Sequence, residues 1–382
     1  MTNFIRFRIL LFASVKTLPH LRTLVQEYSP LLSFITAFVI TYFSIPAIIR
    51  LSLVKRLYDV PDERKKHNAR ISPLGGMAIF GGMLMSFVFF SAHLANPALN
   101  SVLVALFILF ITGVKDDLYP LTPYKKLLGQ ILAVSIVVFQ GDIRLESFYG
   151  LFEIQELPFW VSVSVSFLFF LGIINSFNFI DGINGLSSGI GIVISLTYSI
   201  WFYYLGENLF IILSLAVAGS QLAFLRYNLV DAKIFMGDSG SMIMGFLAAL
   251  MTIYFLQANE RTTGVLLLHI DAMVFAFAVL IIPVLDSVRV VFIRVFILKR
   301  SPFSADRNHI HHSLLDIGLK HSQATLALVL VNVFFILITY YLNDYLRAMY
   351  LLITISLLAL AFSQVPFLIK NHQKKIGRNK VV

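Results

Sequence analysis

Residues 102–117 have the sequence VLVALFILFITGVKDD, and this pattern decides the fold of the chain. A long apolar run ends abruptly in Lys115, Asp116 and Asp117. A helix needs about 20 apolar residues to cross a bilayer, and a charge at the bilayer centre costs about 3 kcal/mol. The segment therefore predicts a membrane-spanning helix whose charged end lies at the membrane surface.

Similar apolar runs recur along the 382 residues. They predict eleven spans, near residues 30–50, 71–93, 98–114, 125–140, 158–174, 185–205, 208–225, 239–257, 270–297, 323–342 and 347–369. We expect an all-α integral membrane protein in three parts. Residues 1–28 form an interfacial segment, 29–370 a polytopic transmembrane domain and 371–382 a basic tail.

The composition excludes several classes of protein. The chain is 58% hydrophobic and 13% charged, whereas soluble domains contain about 25% charged residues. Because there is no cysteine, disulfides, thiolate catalysis and cysteine-ligated zinc are excluded. The net charge of +10 is typical of basic loops held against anionic lipid, so we predict a lipid bilayer as partner and no nucleic acid.

Lysine and arginine predict the orientation. The basic loops contain Lys55, Arg56, Arg64, Lys65, Lys66, Arg70, Lys115, Lys125, Lys126, Arg226, Lys233, Lys299, Arg300, Arg307 and Lys320. The opposite loops contain Arg144, Arg261 and Arg347. The positive-inside rule makes the first set cytoplasmic, with the C-terminus on the same side. Basic residues in 1–28 conflict with parity, so either this segment lies in the interface or one span is miscounted.

Two segments depart from plain spans. Residues 141–157 alternate polar and apolar side chains around Tyr149-Gly150, which predicts a small periplasmic β-hairpin. Pro283 interrupts the ninth span and should kink it. The following half is amphipathic and should lie near the cytoplasmic surface.

Five polar clusters fall on the predicted cytoplasmic side. They are PDERKKH (61–67), KDDLYPLTPYKK (115–126), NSFNFIDGINGL (175–186), FMGDSGS (235–241) and DRNHIHH (306–312). A membrane protein that gathers carboxylates, histidines and lysines on one face is expected to perform chemistry at the membrane surface.

Acids and amides in these clusters suit a metal. The adjacent carboxylates of Asp116 and Asp117 favour a divalent cation or a shared proton, with a solvated acidic loop as the alternative. Asn175, Asn178 and Asp181 recur at steps of three and share one helix face. They suit oxygen ligation or contacts to a uracil edge, with a polar helix end as the alternative.

The other three clusters suit phosphate. In FMGDSGS, Asp238 or Ser239 can cap a helix, or the glycines can admit phosphate at the positive helix end. The histidines of DRNHIHH favour contacts to phosphate oxygens over zinc. The basic residues of PDERKKH suit an anionic ligand or reflect positive-inside bias alone. Together the clusters indicate a Mg²⁺-dependent reaction between a phosphorylated, nucleotide-bearing substrate and a membrane lipid.

Over residues 30–370 the five motifs, in this order, resemble the polyprenyl-phosphate N-acetylhexosamine-1-phosphate transferases. The His-x-His-His of 309–312 is similar to the WecA/TagO-like branch, whereas the MraY branch tends to have three consecutive histidines. The resemblance implies transfer of a sugar-1-phosphate, with GlcNAc-1-phosphate the commonest, from a UDP-sugar to undecaprenyl phosphate. UMP is released, and lipid-linked glycan synthesis begins.

The resemblance also implies roles for individual residues. Asp116 would be the base that deprotonates the lipid phosphate, with Asp117 in support and Lys126 as the lysine that follows the pair. Asp238 and Asn178 would bind Mg²⁺, with Mn²⁺ as the alternative. His311 and His312 would belong to the catalytic group and hold the sugar or diphosphate. The residues expected to bind substrate are Lys65, His67, Asp181, Asn184 (at the uracil edge), Asn228, Phe235, Arg307 and His309.

We therefore expect a multi-pass enzyme of the bacterial inner membrane with a cytoplasmic active site. A homodimer and the choice between direct displacement and an aspartyl intermediate stay open. The alternatives are a phospho-MurNAc-pentapeptide transferase of the same family and a membrane transporter. A transporter would place its polar residues near the bilayer midplane, often in repeated halves, whereas here they cluster at one boundary.

Overall fold

In the computed structural model, the described residues are 25–57, 71–94, 98–154, 156–262, 270–301 and 308–379. Most of these residues lie in α-helices. The helices are α1 (Ser29–Lys55), α2 (Gly75–Ser91), α3 (Ala98–Leu118), α4 (Pro123–Phe139), α5 (Phe159–Ile180), α6 (Leu186–Leu205), α7 (Asn208–Asn228), α8 (Gly237–Thr262), α9 (Ala272–Val279), α10 (Ile281–Phe292), α11 (Ile310–Asp316), α12 (His321–Leu342) and α13 (Ala348–Asn379).

Each predicted span coincides with a helix, if α9 and α10 together count as the ninth span. Among the described residues, eight helices are long and apolar enough to cross a membrane, and the α9–α10 pair would make nine. With 17 residues each, α2 and α4 are shorter than the usual length of about 20. The all-α membrane fold is confirmed, while the count of eleven crossings stays a prediction.

The middle of the bundle is α8, in which every residue from Ser239 to Ala258 is buried. It packs against α2, α3, α5 and α6. Small residues allow these close approaches, since a Cβ on Gly113 of α3 would lie 2.3 Å from the Ser239 Cα. Helices in membranes associate through such small-residue contacts. In contrast, α1, α12 and α13 leave most of their residues uncovered, as lipid-facing helices do.

A short parallel backbone pairing joins the starts of α2 and α8. Ser72 and Ile234 form a β-bridge, the one bridge among the residues described. The Phe235 N–H donates to the Ser72 carbonyl at 2.8 Å, and the Gly76 N–H donates to the Met236 carbonyl at 2.8 Å. The pairing fixes the entry of α8 beside α2, at the end of the bundle where the polar clusters meet.

The predicted kink in the ninth span is present. α9 and the helix that begins at Ile281 are bent by 75°. The break lies at Leu280, and Pro283 falls in the first turn of α10, where a missing N–H is tolerated. One side of α10 is buried and carries Asp286 and Val290, whereas the other side is exposed and carries the apolar side chains of Val288 and Phe292.

The predicted β-hairpin at 141–157 is wrong for the described residues of this loop. They form turns and a 3₁₀ helix, Leu151–Glu153. The chain turns back once, with the Leu157 N–H donating to the Glu146 carbonyl at 2.8 Å. Other backbone groups are taken by side chains: Ser166 accepts from the Leu145 N–H, and Ser162 donates to the Leu145 carbonyl. These backbone groups are therefore not available for hydrogen bonds to a second strand.

The division into three parts stays a prediction. Residues 1–24 of the N-terminal segment lie outside the described residues. At the other end, α13 continues to Asn379 without a break at the boundary after residue 370.

Candidate active site

Asp116 and Lys126 connect three helices at one end of the bundle. Asp116, buried at the end of α3, forms an ion pair with Lys126 on α4 and accepts a hydrogen bond from the Leu121 N–H at 2.6 Å. Its carboxyl group also contacts that of Asp238 at the start of α8. The Lys126 Nζ lies 3.2 Å from the Asp238 Oδ2. One ammonium group thus bridges two carboxylates.

Asp117 faces a different partner, the first turn of α8. Its Oδ1 accepts from the Asp238 N–H at 2.7 Å, and its Oδ2 accepts from the Ser239 N–H and hydroxyl at 3.1 and 2.6 Å. Gly237, the first residue of α8, has φ +71°, a left-handed conformation that glycine adopts without strain. Asp117 therefore caps α8 from another helix and holds Asp238 in place.

The polar face of α5 reaches the same point. The Asn178 Nδ2 donates to the Asp238 Oδ1 and to the Ser241 Oγ, the latter at 3.1 Å. Asn175, one turn earlier, donates instead to the Gln130 Oε1 at 3.1 Å and to the Leu171 carbonyl. Asn175 thus ties α5 to α4, while Asn178 belongs to the acidic cluster.

The acidic cluster suits a divalent cation. Two carboxylates in contact repel each other unless a proton or cation lies between them. Mg²⁺ usually binds one or two carboxylates together with substrate phosphates, which matches Asp116 and Asp238. Asn178 presents its nitrogen to Asp238, so its oxygen would become a ligand only after the amide turns over. Without a metal, Lys126 supplies the balancing charge.

Asp181 follows α5 in the glycine-containing loop. Its side chain is partly exposed, although protein surrounds it densely, as expected for a residue facing a cleft. This burial, together with the nearby charges of Asp238 and Asp117, raises the pKa of Asp181 well above its ordinary range. A ligand cation or hydrogen-bond donor near Asp181 would relieve that cost.

Two asparagines expected to contact the nucleoside have structural partners. The Asn228 Oδ1 accepts from the Gly185 N–H at 2.6 Å, and its Nδ2 donates to the Ile234 carbonyl at 2.8 Å. Asn184 uses its backbone to accept from Thr325 and to donate to the His321 Nδ1, at 2.7 and 3.3 Å. Both residues shape the loop, and their proposed nucleoside contacts stay predictions. Phe235 is partly exposed beside the same end.

The histidine motif surrounds one buried carboxylate, Asp286 of α10. Its Oδ2 lies 2.9 Å from the His309 Nδ1 and 3.2 Å from the His311 Nδ1, and its Oδ1 accepts from the Ile310 N–H at 2.6 Å. Within the described ranges, Asp286, His309 and His311 are the one group of three or more histidines and acids close enough to bind a metal together. His311 also meets the loop, since a Cβ on Gly182 would lie 2.7 Å from its Nε2.

The structure thus brings four of the five predicted clusters to one end of the bundle. Lys65, His67 and Arg307 lie outside the described residues, so the fifth cluster and the start of the histidine motif are untested. His312 is partly exposed beside His311. Sequence reasoning missed Asp286 as a site residue. The signal was present, because an ionisable residue within an apolar membrane segment is functional by default.

Comparisons with known proteins agree with this architecture. The family model for glycosyl transferase family 4 matches residues 99–256. A probable undecaprenyl-phosphate N-acetylglucosaminyl 1-phosphate transferase of Bacillus subtilis is 30% identical, over 80% of this chain and 81% of the relative. A decaprenyl-phosphate N-acetylglucosaminephosphotransferase of Mycobacterium leprae is 32% identical, over 78% and 79%.

A third relative, from Thermotoga maritima, is an undecaprenyl-phosphate alpha-N-acetylglucosaminyl 1-phosphate transferase. It is 28% identical over 72% of this chain and 78% of its own length. The chain belongs to glycosyl transferase family 4, among the polyprenyl-phosphate N-acetylhexosamine-1-phosphate transferases.

Proposed function

We propose that the protein transfers GlcNAc-1-phosphate from UDP-GlcNAc to undecaprenyl phosphate and releases UMP. The observation that carries the proposal is the meeting of Asp116, Lys126, Asn178 and Asp238 at one end of a membrane bundle. The names of the relatives support a polyprenyl-phosphate acceptor and N-acetylglucosamine 1-phosphate as the transferred group. The UDP carrier is inferred from the motifs.

The reaction is a substitution at phosphorus. An oxygen of the lipid phosphate forms a bond to the phosphorus that bears the sugar. The bond from that phosphorus to the bridging oxygen breaks, and its electron pair leaves with UMP. Asp116 would accept any proton that the lipid phosphate carries, and Lys126 beside it would balance charge on the phosphates. Such a reaction depends mainly on positioning and electrostatics.

We further propose that Mg²⁺ is the cofactor, held by Asp238 and, once its amide turns over, by Asn178, while Asp116 stays available as the base. When bound, the ion would stabilise the negative charge of the diphosphate and of the departing UMP. Asp117 would keep Asp238 aimed at that position through its hydrogen bonds to the first turn of α8. Asp181, in the adjacent loop, would contact the nucleotide.

The expected location is a bacterial inner membrane, with this site on the cytoplasmic side. The charge bias of the loops supports this orientation, because basic residues accumulate in cytoplasmic loops. Both the donor nucleotide and the lipid phosphate would then meet at the inner leaflet.

The test is an assay of the purified protein with undecaprenyl phosphate and a panel of UDP-sugars. We expect UMP release that requires the lipid, together with a lipid product whose mass increases by one HexNAc phosphate. Transport of a solute across liposome membranes, without a UDP-sugar and without any lipid product, would favour a transporter instead. If a lipid product formed only with UDP-MurNAc-pentapeptide, the transferred group would be phospho-MurNAc-pentapeptide and not GlcNAc-1-phosphate.

A further inference from the structure

Asp286 joins the histidine motif to the bend between α9 and α10. Its side chain is buried, and its two oxygens contact three successive residues of the motif, His309, Ile310 and His311. A buried carboxylate that accepts several hydrogen bonds fixes the geometry of its partners.

The motif is tied to α10 at a second point. The Arg289 guanidinium donates to the Asn308 carbonyl at 2.5 Å and lies 3.7 Å from the ring centroid of Phe367 on α13. Arg289 is three residues from Asp286, so the two side chains project from the same side of α10. The backbone entering α11 is therefore held from one helix by two charged groups.

The two histidines relate differently to Asp286. His309 makes a directed hydrogen bond through Nδ1. The His311 Nδ1 lies 3.2 Å from the same oxygen as a close charge contact, and neither of its ring nitrogens completes a directed hydrogen bond within the described part of the chain. A ring whose Nδ1 faces a carboxylate offers Nε2 to other partners.

The Nε2 of His311 is buried and faces Gly182, beside Asp181. A buried polar atom without a partner costs about 1–3 kcal/mol, and none of the described residues supplies one to this nitrogen, which fits a partner supplied by a ligand. Glycine is the only residue type at position 182 that leaves room for the His311 ring, because any Cβ there would lie 2.7 Å from Nε2. A protonated Nε2 at this point would donate to an oxygen of the donor substrate.

We propose that Asp286 is a positioning residue, which holds the His311 ring so that Nε2 is presented beside Gly182 to the diphosphate or sugar of the donor. The inference rests on the proposed function and names the group through which Asp286 acts. Asp286 itself touches no substrate, and the lipid phosphate is not its target.

The test is a double-mutant cycle with steady-state kinetics. We expect Asp286→Asn to raise the KM for the UDP-sugar about tenfold or more, as for loss of a charged hydrogen-bond partner, with the KM for undecaprenyl phosphate within about twofold of the wild type. His311→Gln should cause the same change. The double variant should be no worse than His311→Gln alone, because Asp286 acts through that ring.

Ser287→Ala is the matched control, since Ser287 is the buried neighbour on α10. It should leave both KM values unchanged. If Asp286→Asn does not fold, Gly182→Ala provides the second route. Its methyl group should displace the His311 ring and raise the same KM, and His311→Ala should remove that additional effect.

If the increases in KM for the UDP-sugar multiply in the double variant, Asp286 and His311 act independently. That result would overturn the inference while leaving the proposed transfer intact. One zinc ion per chain in the wild type that is absent from Asp286→Asn would also overturn it, because the three side chains would then be metal ligands. A wild-type protein that makes no lipid product with any UDP-sugar would overturn the proposed function, and this inference with it.

Discussion

Asp117 caps the first turn of α8, with its Oδ1 2.7 Å from the Asp238 backbone nitrogen. The second acid of the pair is therefore a helix cap, while the first acid contacts Lys126 and the Asp238 carboxyl. Adjacent residues of identical chemistry have separate tasks because α3 ends between α4 and α8.

Replacing Asp117 should reduce stability and activity together. Asp117→Ala removes the acceptor for two N–H groups and one hydroxyl, and loss of a helix cap costs about 1 kcal/mol. The freed first turn of α8 should also move Asp238, and we expect transfer to fall about tenfold or more. Thermal unfolding in detergent and UMP release measure the two effects. Asp231→Ala, an exposed aspartate near the start of α8, should change neither value.

Replacing Lys126 should reduce activity far more than replacing Lys125. Lys126→Met leaves the carboxylates of Asp116 and Asp238 in contact without their bridging cation, so we expect a loss of about 100-fold in kcat. The same change should lower the Mg²⁺ concentration needed for half-maximal activity, because a competing positive charge is gone. Lys125→Met is the control, since Lys125 is exposed. An unchanged Mg²⁺ requirement would argue that no metal binds beside Lys126.

Metal removal should abolish transfer. We expect EDTA to stop UMP release, and Mg²⁺, or Mn²⁺ to a smaller extent, to restore it. Asp238→Asn should lower turnover by orders of magnitude at any Mg²⁺ concentration while the protein elutes normally in gel filtration. Full Mg²⁺-dependent activity in that variant would exclude Asp238 as a ligand.

Asp181 makes stability depend on pH. Its folded-state pKa is raised above the ordinary value of about 3.8, so its stabilising contribution is complete below that value and is lost as the pH rises through the folded-state pKa. Asp181→Asn removes this loss. We expect the melting temperature of the variant to exceed that of the wild type at about pH 7.5 and to equal it near pH 4.

This comparison needs EDTA, because a bound cation changes the local field. The gain in stability should come with weaker binding of the UDP-sugar, since the carboxylate would contact the nucleotide. Parallel melting curves for the two proteins across the whole pH range would contradict the assignment. Asp231→Asn provides the control for losing a carboxylate from the same end of the bundle.

The meeting of the acidic cluster could be predicted from the chain alone. Outside the ninth span, charges interrupt the apolar runs only at their ends, and alternation of the loops then places Asp116, Asn178 and Asp238 on one side. The partners of Asp117 could not be predicted, because a carboxylate can cap its own helix, a neighbouring helix or none. Only the register between α3 and α8 decides this.

Two further details depended on tertiary packing. Alternation around Tyr149-Gly150 suggested strands, but Gln257 of α8 donates to the Asp142 and Arg144 carbonyls that a strand would have used. Asp286 was attributed to an amphipathic surface helix, and its role became visible only when the bend brought it to His309. In both cases a distant side chain determined the local structure.

The enclosure of α8 has a consequence for the surrounding membrane. We expect lipid chains to contact α1, α12 and α13, which leave most of their residues uncovered, whereas the helix that carries Asp238 is buried from Ser239 to Ala258. A thicker or thinner bilayer is accommodated by helix tilt at modest cost, and the outer helices can tilt around a fixed axis. The spacing of the acidic residues should therefore be insensitive to the thickness of the host membrane.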